Sequence, residues 1–481
     1  MNENQDTWIK SPDTNNMLKK HFLFVVGFSL PFAYLLSFLF EGRVLYSFLD
    51  NFDIYFPHYI FATIGAHFLG LFLFGWFIKP ETPIQRIMFS SISLCFLTSI
   101  PFLFSPSILW GIGLILSGFS GGILMSTLGY FLKRYIKKAE RFRIIAGILI
   151  CSNLLMTIIY SVDLYISSTL ALVLAMGCLL AGTVFLRLLI GESKFIVESG
   201  KHNINTNSMR QAQQVLFLFV FVITINSGFM YQVVNPQFGH LSGIMTWYWA
   251  VPYIVAIWIM GRLAPNIKGA PYIYIALIML MSALVGFIFL EHNLIGYLII
   301  NALMLGSFGV FDLFWWSILG EMLEYSKNPA RVFGVGLSAN VLGILVGGIF
   351  GYFGNQYEFS TTEITVIALV VLCITILLLP LLNQKIKALL KSHTYLAVYG
   401  EMAELEQREM VQSVMEMLTN REKEVLEQIL YGKTNSAIGE KLSISENTVK
   451  THVGNIYSKY DVRSRAELIN TVLRNTVNIK T

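Results

Sequence analysis

Long apolar runs separated by short polar breaks fill the chain from residue 21 to residue 383, and there the pattern stops. A helix needs about 20 mostly apolar residues to cross a bilayer. Runs of that size fall at 21–40, 58–78, 87–105, 107–131, 144–161 and 167–190. A second series falls at 214–233, 241–262, 271–290, 294–319, 332–353 and 362–383. The pattern predicts two groups of six helices joined by a longer polar connection, Gly191–Gln213. The shortest break, Ser105–Pro106, fixes its neighbours least firmly. Past residue 383 polar residues dominate, and apolar ones return every three or four positions, as in small soluble helices. The expected fold is all-α: a polytopic bundle of 12 spans, then a small four-helix domain. The expected segments are a cytoplasmic tail 1–20, a membrane bundle 21–383, a helical linker 384–414 and a domain 415–481. The tail has no small-residue cleavage site, so 21–40 reads as a retained span rather than a signal peptide.

Composition agrees with this division. Of 481 residues 55% are hydrophobic and 13% charged, against about 25% charged in soluble domains. The mean hydropathy is +0.62. The distribution of charge is more informative than its sum of +5. Up to residue 383 there are 20 Lys and Arg. With the N-terminus inside, 19 of them fall in or beside inner segments, including Lys133, Arg134, Lys137, Lys138, Arg141 and Arg143, and only Arg43 falls outside. Cytoplasmic loops are enriched in basic residues, so both termini are expected in the cytoplasm. The cysteines, Cys95, Cys151, Cys178 and Cys373, sit in apolar runs without metal-ligand spacing and read as buried packing residues.

Polar groups inside spans are expensive and mark candidate sites. Asp312, in Phe311-Asp-Leu-Phe-Trp-Trp316, is the one clearly intramembrane carboxylate of the apolar runs. With Trp315 and Trp316 it suits a cation or a hydrogen-bond donor on an aromatic ligand. It equally suits a carboxylate capped by a neighbouring helix. Asn226, Asn340 and His67 complete the candidate ligand-binding set, and Asn301 adds polarity to the tenth span. Gly343, Gly347 and Gly351 line one face of span 11, and Gly118 and Gly122 one face of span 4. Close helix packing or a hinge would each use them. Pro31 and Pro252 mark possible kinks.

In the C-terminal domain cap signals delimit the helices. Thr419-Asn-Arg-Glu422 is a capping box opening a helix that buries Val425, Leu426 and Ile429 and ends at Gly432. A short helix from Thr434 to about Leu442 buries Ile438 and Leu442. Ser443-Ile444-Ser445 turns, with Ser445 as N-cap of a third helix. Ser464-Arg-Ala-Glu467 opens a fourth, through residue 473. On the third helix Val449, Val453, Ile456 and Tyr460 form a buried stripe. The opposite face carries Asn447, Lys450, Thr451, Gly454, Asn455 and Ser458, small or polar enough to enter a major groove about 12 Å wide. Lys450 suits guanine acceptors, Thr451 base edges or a thymine methyl, and Asn447 or Asn455 adenine or phosphate. Thr434, Asn435, Thr448, His452 and Lys459 are placed for phosphates.

This stretch resembles the LuxR-type helix-turn-helix, whose pattern is met by Leu418, Thr419, Arg421, Glu422, Val425, Leu426, Gly432, Asn435, Ile438, Leu442, Ile444, Ser445, Thr448, Val449, Lys450, His452, Ile456, Lys459 and Val462–Ala466. It departs at Gly439, where alanine is usual, and at Gly454, where several members carry a base-contacting side chain. The resemblance implies binding to double-stranded DNA, with homodimerisation through the helix 464–473. Two six-helix halves resemble the major facilitator superfamily of transporters. The loop signature of that superfamily is eroded, with Pro265 and Asn266 in Gly261–Lys268 where Asp and Arg belong.

Together these resemblances imply a one-component transcription regulator in a bacterial inner membrane, multi-pass, sensing an unknown small molecule through its bundle. The alternatives are a secondary transporter with an appended regulatory domain, or an inert anchor. No catalytic constellation, metal site or cofactor motif is expected, and no enzyme activity.

Overall fold

The structure, a computed structural model, describes residues 14–391 and 418–468, apart from 41, 53, 55–56, 80, 193–205, 264–270, 431–432, 461, 463 and 466. The chain divides into two compact units, Met1–Lys387 and Ala388–Thr481. Among the described residues there is no strand.

Among its described residues the first unit holds 12 helices long and apolar enough to cross a membrane. Spans 1 to 6 are Met17–Asn51, His58–Phe77, Ile84–Leu103, Ile108–Tyr135, Lys138–Tyr165 and Ser168–Gly191. Spans 7 to 12 are Met209–Gln237, Gly239–Arg262, Tyr272–Phe289, Leu294–Tyr325, Pro329–Gln356 and Thr361–Ile386. Several outrun the apolar stretches that announce them: the run 107–131 becomes a helix that starts at Ile108 and continues to Tyr135, and 144–161 lies within Lys138–Tyr165. Apolarity reports the solvent around a helix, whereas the hydrogen-bond ladder continues past it and carries Lys133, Arg134 and Lys138. The short break at Ser105–Pro106 is real. Span 3 closes in a 3-10 turn, Ile100–Leu103, and the Trp110 indole of span 4 donates to the Pro101 carbonyl at 3.0 Å.

Three irregularities interrupt the ladder. Span 1 passes into a π-helix at Leu35–Leu39 and span 7 into another at Met230–Val234, so the first span of each half carries one. Span 8 is broken into helices Ser242–Tyr248 and Val251–Leu263. Its Pro252, expected as a kink, instead opens the second piece, because proline has no N–H for the preceding turn and its ring excludes that turn's carbonyl. Pro31 lies inside a continuous helix, Thr14–Tyr34, with its ring against Gly182 of span 6.

The glycine faces are packing seams. A Cβ on Gly343 or Gly347 would collide with the carbonyl of Phe221 or Ile225 in span 7, and one on Gly118 or Gly122 with those of Thr63 or His67 in span 2. Of the cysteines only Cys95 is buried, and Cys373 is exposed. The expectation of four buried packing cysteines fails because an apolar run does not distinguish a lipid-facing position from an inward one.

At the end of the bundle bearing the basic connections, the two halves are tied together. Arg141, 4% exposed, pairs with Glu324 at 2.6 Å and donates to the Gly320 carbonyl at 3.1 Å. The Lys133 ammonium donates to the Ser326 carbonyl at 2.8 Å, and the Asn328 amide to the Ile78 carbonyl at 2.6 Å.

The second unit contains helices Asn420–Leu430, Asn435–Leu442 and Glu446–Tyr460. They enclose a core of Val425, Leu426, Ile429, Ile438, Val449, Val453 and Ile456, closed at its edges by Leu418, Val462 and Leu468. Tyr460 and Leu442, expected inside, pack against this core only half-buried. The Ser464 hydroxyl accepts from the Glu467 N–H at 3.1 Å, as its capping role requires. Residues 466 and 469–473 of the predicted helix 464–473, Gly432 and most of the linker 384–414 lie outside the described residues. The linker's first residues extend the last membrane helix, which runs Thr361–Lys391.

Candidate functional site

A cavity of about 650 Å³ opens within the membrane unit. Its wall runs from Leu71, Met125, Asp312 and Trp316 within the spans to Asp50, Asn235, Gly239 and Ser242 at the ends of spans 1, 7 and 8 opposite the basic end. Asp50 and Gly239 are exposed, so the cavity reaches water at that end, while the ties around Arg141 stand at the other. Both π-helices and the break in span 8 face it, through Leu35 and Leu36, Met230 to Gln232, and Trp249 and Ala250. A π-turn shifts the side-chain register by a residue, a device frequent at binding sites. Here it turns consecutive residues toward the space.

Asp312 accepts from the Tyr253 hydroxyl at 2.8 Å and from the Trp315 indole N–H at 3.1 Å. The structure brings Asp312, Trp316, Asn340 and His67 to the cavity wall. It does not bring Trp315 or Asn226 there. Trp315 is buried behind Asp312 and orients it, and Asn226 is buried with neither side-chain atom hydrogen-bonded. His67 meets the Gly118 carbonyl through Nδ1 at 3.2 Å.

Sequence reading missed Tyr253 and Arg43. Arg43 opens a short helix, Arg43–Asn51, and lines the cavity. Its Nε pairs with Asp163 at 3.1 Å, and its Nη1 donates to Thr246 of the second half at 2.6 Å. Its signal was already in the sequence, as the one basic residue on the wrong side of the charge asymmetry.

In the C-terminal unit the Ser445 hydroxyl accepts from the Thr448 N–H at 3.1 Å and caps the third helix. Before it, Ser443 adopts a left-handed conformation, φ 54°, which reverses the chain within one residue. Gly439 lets the turn close, because a Cβ there would lie 2.7 Å from the Ile444 carbonyl oxygen. Val449, Val453 and Ile456 are buried, while Asn447, Thr448, Lys450, Thr451, Gly454, Asn455 and Ser458 are exposed on the other side. Residues 416–472 match a family model described as bacterial regulatory proteins, luxR family. This segment is a LuxR-type helix-turn-helix domain.

Relatives resemble the chain over part of its length. YgeK of Escherichia coli (strain K12), an uncharacterized response regulatory protein, is 42% identical over 94 residues, 19% of this chain and 62% of the relative. YxjL of Bacillus subtilis (strain 168), an uncharacterized transcriptional regulatory protein, is 35% identical over 91 residues, 19% of this chain and 42% of the relative. The chain thus spans less than two thirds of either. The membrane unit resembles in fold the human organic anion transporter MFSD10, with a TM-score of 0.51 at 15% identity, covering 76% of this chain and 100% of that one.

Within the LuxR-type domain several charged residues turn out to hold helices together. Glu422 accepts from the Thr419 N–H and hydroxyl, each at 2.8 Å, and pairs with Lys459 at 2.6 Å. The Lys459 ammonium, set aside for phosphate in the sequence reading, is therefore engaged within the domain. Arg421 donates to the Leu442 carbonyl at 2.8 Å. Arg465 donates to the Lys433 carbonyl and to Asn435 Oδ1, the latter at 3.4 Å. Among the described residues Lys450 pairs with Glu446 one turn back, at 2.9 Å, both about half exposed.

Proposed function

We propose that the protein is a membrane-anchored one-component transcription regulator. A small molecule occupies the central cavity, and the LuxR-type domain binds promoter DNA. The observation that carries the reading is the exposed polar face of Glu446–Tyr460 in a chain whose other unit contains a ligand-sized, partly apolar cavity. Lys450, Thr451, Asn447 and Asn455 read bases. Thr434, Asn435, Ser445, Thr448 and His452 fix the helix to phosphates, while Lys459 at its far end is held by Glu422. From residue 415 onward 10 Lys and Arg face 8 Asp and Glu, so one domain binds weakly and salt-sensitively. Pairing through 464–473 compensates.

The basic asymmetry supports a bacterial inner-membrane location with both termini in the cytoplasm. A ligand changes DNA binding only through its different affinity for two arrangements of the six-helix halves. Asp312, Trp316, Asn340 and His67 contact it, Trp315 positions Asp312, and Asn226 acts from the packed interior. No reaction is catalysed in this reading. The decisive experiment maps promoter occupancy by the full chain with and without candidate compounds. Occupancy that no compound alters, or a C-terminal domain reached by protease from outside the cell, would end the proposal. The transporter-like fold supports a second reading, secondary transport with an attached regulatory domain. Ion-driven uptake into proteoliposomes is its test, and binding without flux decides against it.

A further inference from the structure

We infer that the cavity is selective for a small organic cation, an aromatic amine whose ammonium rests on Asp312 and whose ring lies against Phe32 and Trp316. This rests on the reading of the bundle as a small-molecule sensor and adds the class of ligand.

The charges of the cavity wall are unequally matched. Among the residues lining the cavity, Arg43, Asp50, His67 and Asp312 are the acidic and basic ones. The Arg43 charge is already met by Asp163, whose side chain is 1% exposed, and one of its donors is taken by Thr246. It has little left to offer an anion. Asp312 differs: its two partners, Tyr253 and Trp315, are neutral donors. They orient a carboxylate and stabilise it without cancelling its charge. A carboxylate offers about four lone-pair sites, so two remain for N–H groups of a ligand. Among the described residues no Lys, Arg or His forms a salt bridge with Asp312. Asp50, exposed at the mouth, adds a second negative charge on the way in.

The aromatic wall argues in the same direction. The Phe32 and Trp316 rings stand 5.7 Å apart between centroids, and both border the cavity together with Phe308 and Trp249. Ring faces attract a cation, most strongly where water is excluded. A carboxylate ligand would meet those faces, Asp312 and Asp50 together. Were Asp312 protonated it would serve a neutral hydrogen-bonding ligand instead, and the test separates the two cases.

The full chain in lipid nanodiscs is titrated with 2-phenylethylamine, with 2-phenylethanol as its neutral counterpart and with 3-phenylpropanoate as the anion, following the melting temperature. The amine should stabilise the protein at concentrations at least tenfold lower than either counterpart. Asp312→Asn should erase that preference without lowering the unliganded melting temperature. Asp312→Glu, which keeps the charge, should retain the preference in weaker form and serves if the Asn variant does not fold. Stabilisation by the acid or alcohol equal to that by the amine overturns the inference. So does undiminished amine binding by a folded Asp312→Asn protein, or no effect of the amine at all. Promoter occupancy with the same compounds separates the two layers of the argument. Amine binding without a change in occupancy sinks the sensor reading alone, and occupancy answering only to the acid sinks the ligand class alone.

Discussion

The Glu422 carboxylate receives the Thr419 N–H and hydroxyl at the start of one helix and the Lys459 ammonium from the end of another, 37 residues on. The lysine contact, reinforced by the Thr419 bonds, holds the carboxyl down at about 2, from 4.5 for an ordinary glutamate. A carboxyl depressed in the folded state stays ionised where the unfolded chain already takes up a proton. Its contribution to stability is therefore complete above pH 4.5 and drains away as pH falls toward about 2. Hydrogen exchange of 420–430 and 446–460 in the full chain, corrected for intrinsic rates, should show faster opening at pH 3.5 than at pH 6. Glu422→Gln should open these helices by about 2 kcal/mol at neutral pH and remove most of the acid sensitivity. Unchanged acid sensitivity in that variant would assign it to other groups. The capping box was legible because its partners lie three residues apart. Lys459 was read as a phosphate contact, since a lysine near the end of a recognition helix gives no sign that a buried acid waits on another helix.

Among elements, Glu446–Tyr460 shows most plainly what sequence discloses. Its buried stripe follows from helical spacing, and so does the composition of its outer face. That this face meets DNA rather than water needs an experiment in which the two differ. Gly454 provides one, since a Cβ there would touch nothing within 4 Å of the protein. Gly454→Glu should stabilise the helix by about 0.5–1 kcal/mol by replacing glycine, yet weaken DNA binding at least tenfold by placing a carboxylate against phosphates. A mobility shift and a melting curve on the same full-length sample suffice, and unimpaired DNA binding would move the interface elsewhere. In the membrane unit the corresponding element is the seam between spans 7 and 11. Gly347→Ala forces a methyl into the Ile225 carbonyl, and overpacking of this kind costs about 1–3 kcal/mol. The variant should melt lower in detergent, whereas Gly177→Ala, with open space around its position, should not. The small-residue face was visible in sequence, but its partner helix was not. The π-helices left no trace, because a single inserted residue does not disturb an apolar run.

At the scale of the whole molecule, hydropathy and the basic asymmetry made the span number readable, and little more of the bundle was. Apolar residues face lipid and interior alike, so no periodicity told Trp315 from Trp316, or placed Arg43 in the cavity wall instead of an outer loop. The same holds for Arg141. It reads as one basic residue in a cluster of six, yet it is buried against Glu324 and the Gly320 carbonyl of the other half. With the Lys133–Ser326 and Asn328–Ile78 bonds beside it, this pair closes the basic end of the bundle while the cavity stays open opposite. Any rearrangement of the halves that opens the basic end must break it. Removing one partner of a buried ion pair is worth about 3–5 kcal/mol, comparable with the gap between two states that a ligand has to bridge. Glu324→Gln should therefore shift the bundle toward an arrangement open at the basic end. Spin labels at the exposed positions Lys137 and Lys327, one on each half, would report it as a longer and broader distance distribution in the variant. If the distribution is unchanged, the pair contributes to folding and not to the choice between states, and the signal from the cavity must leave by another route.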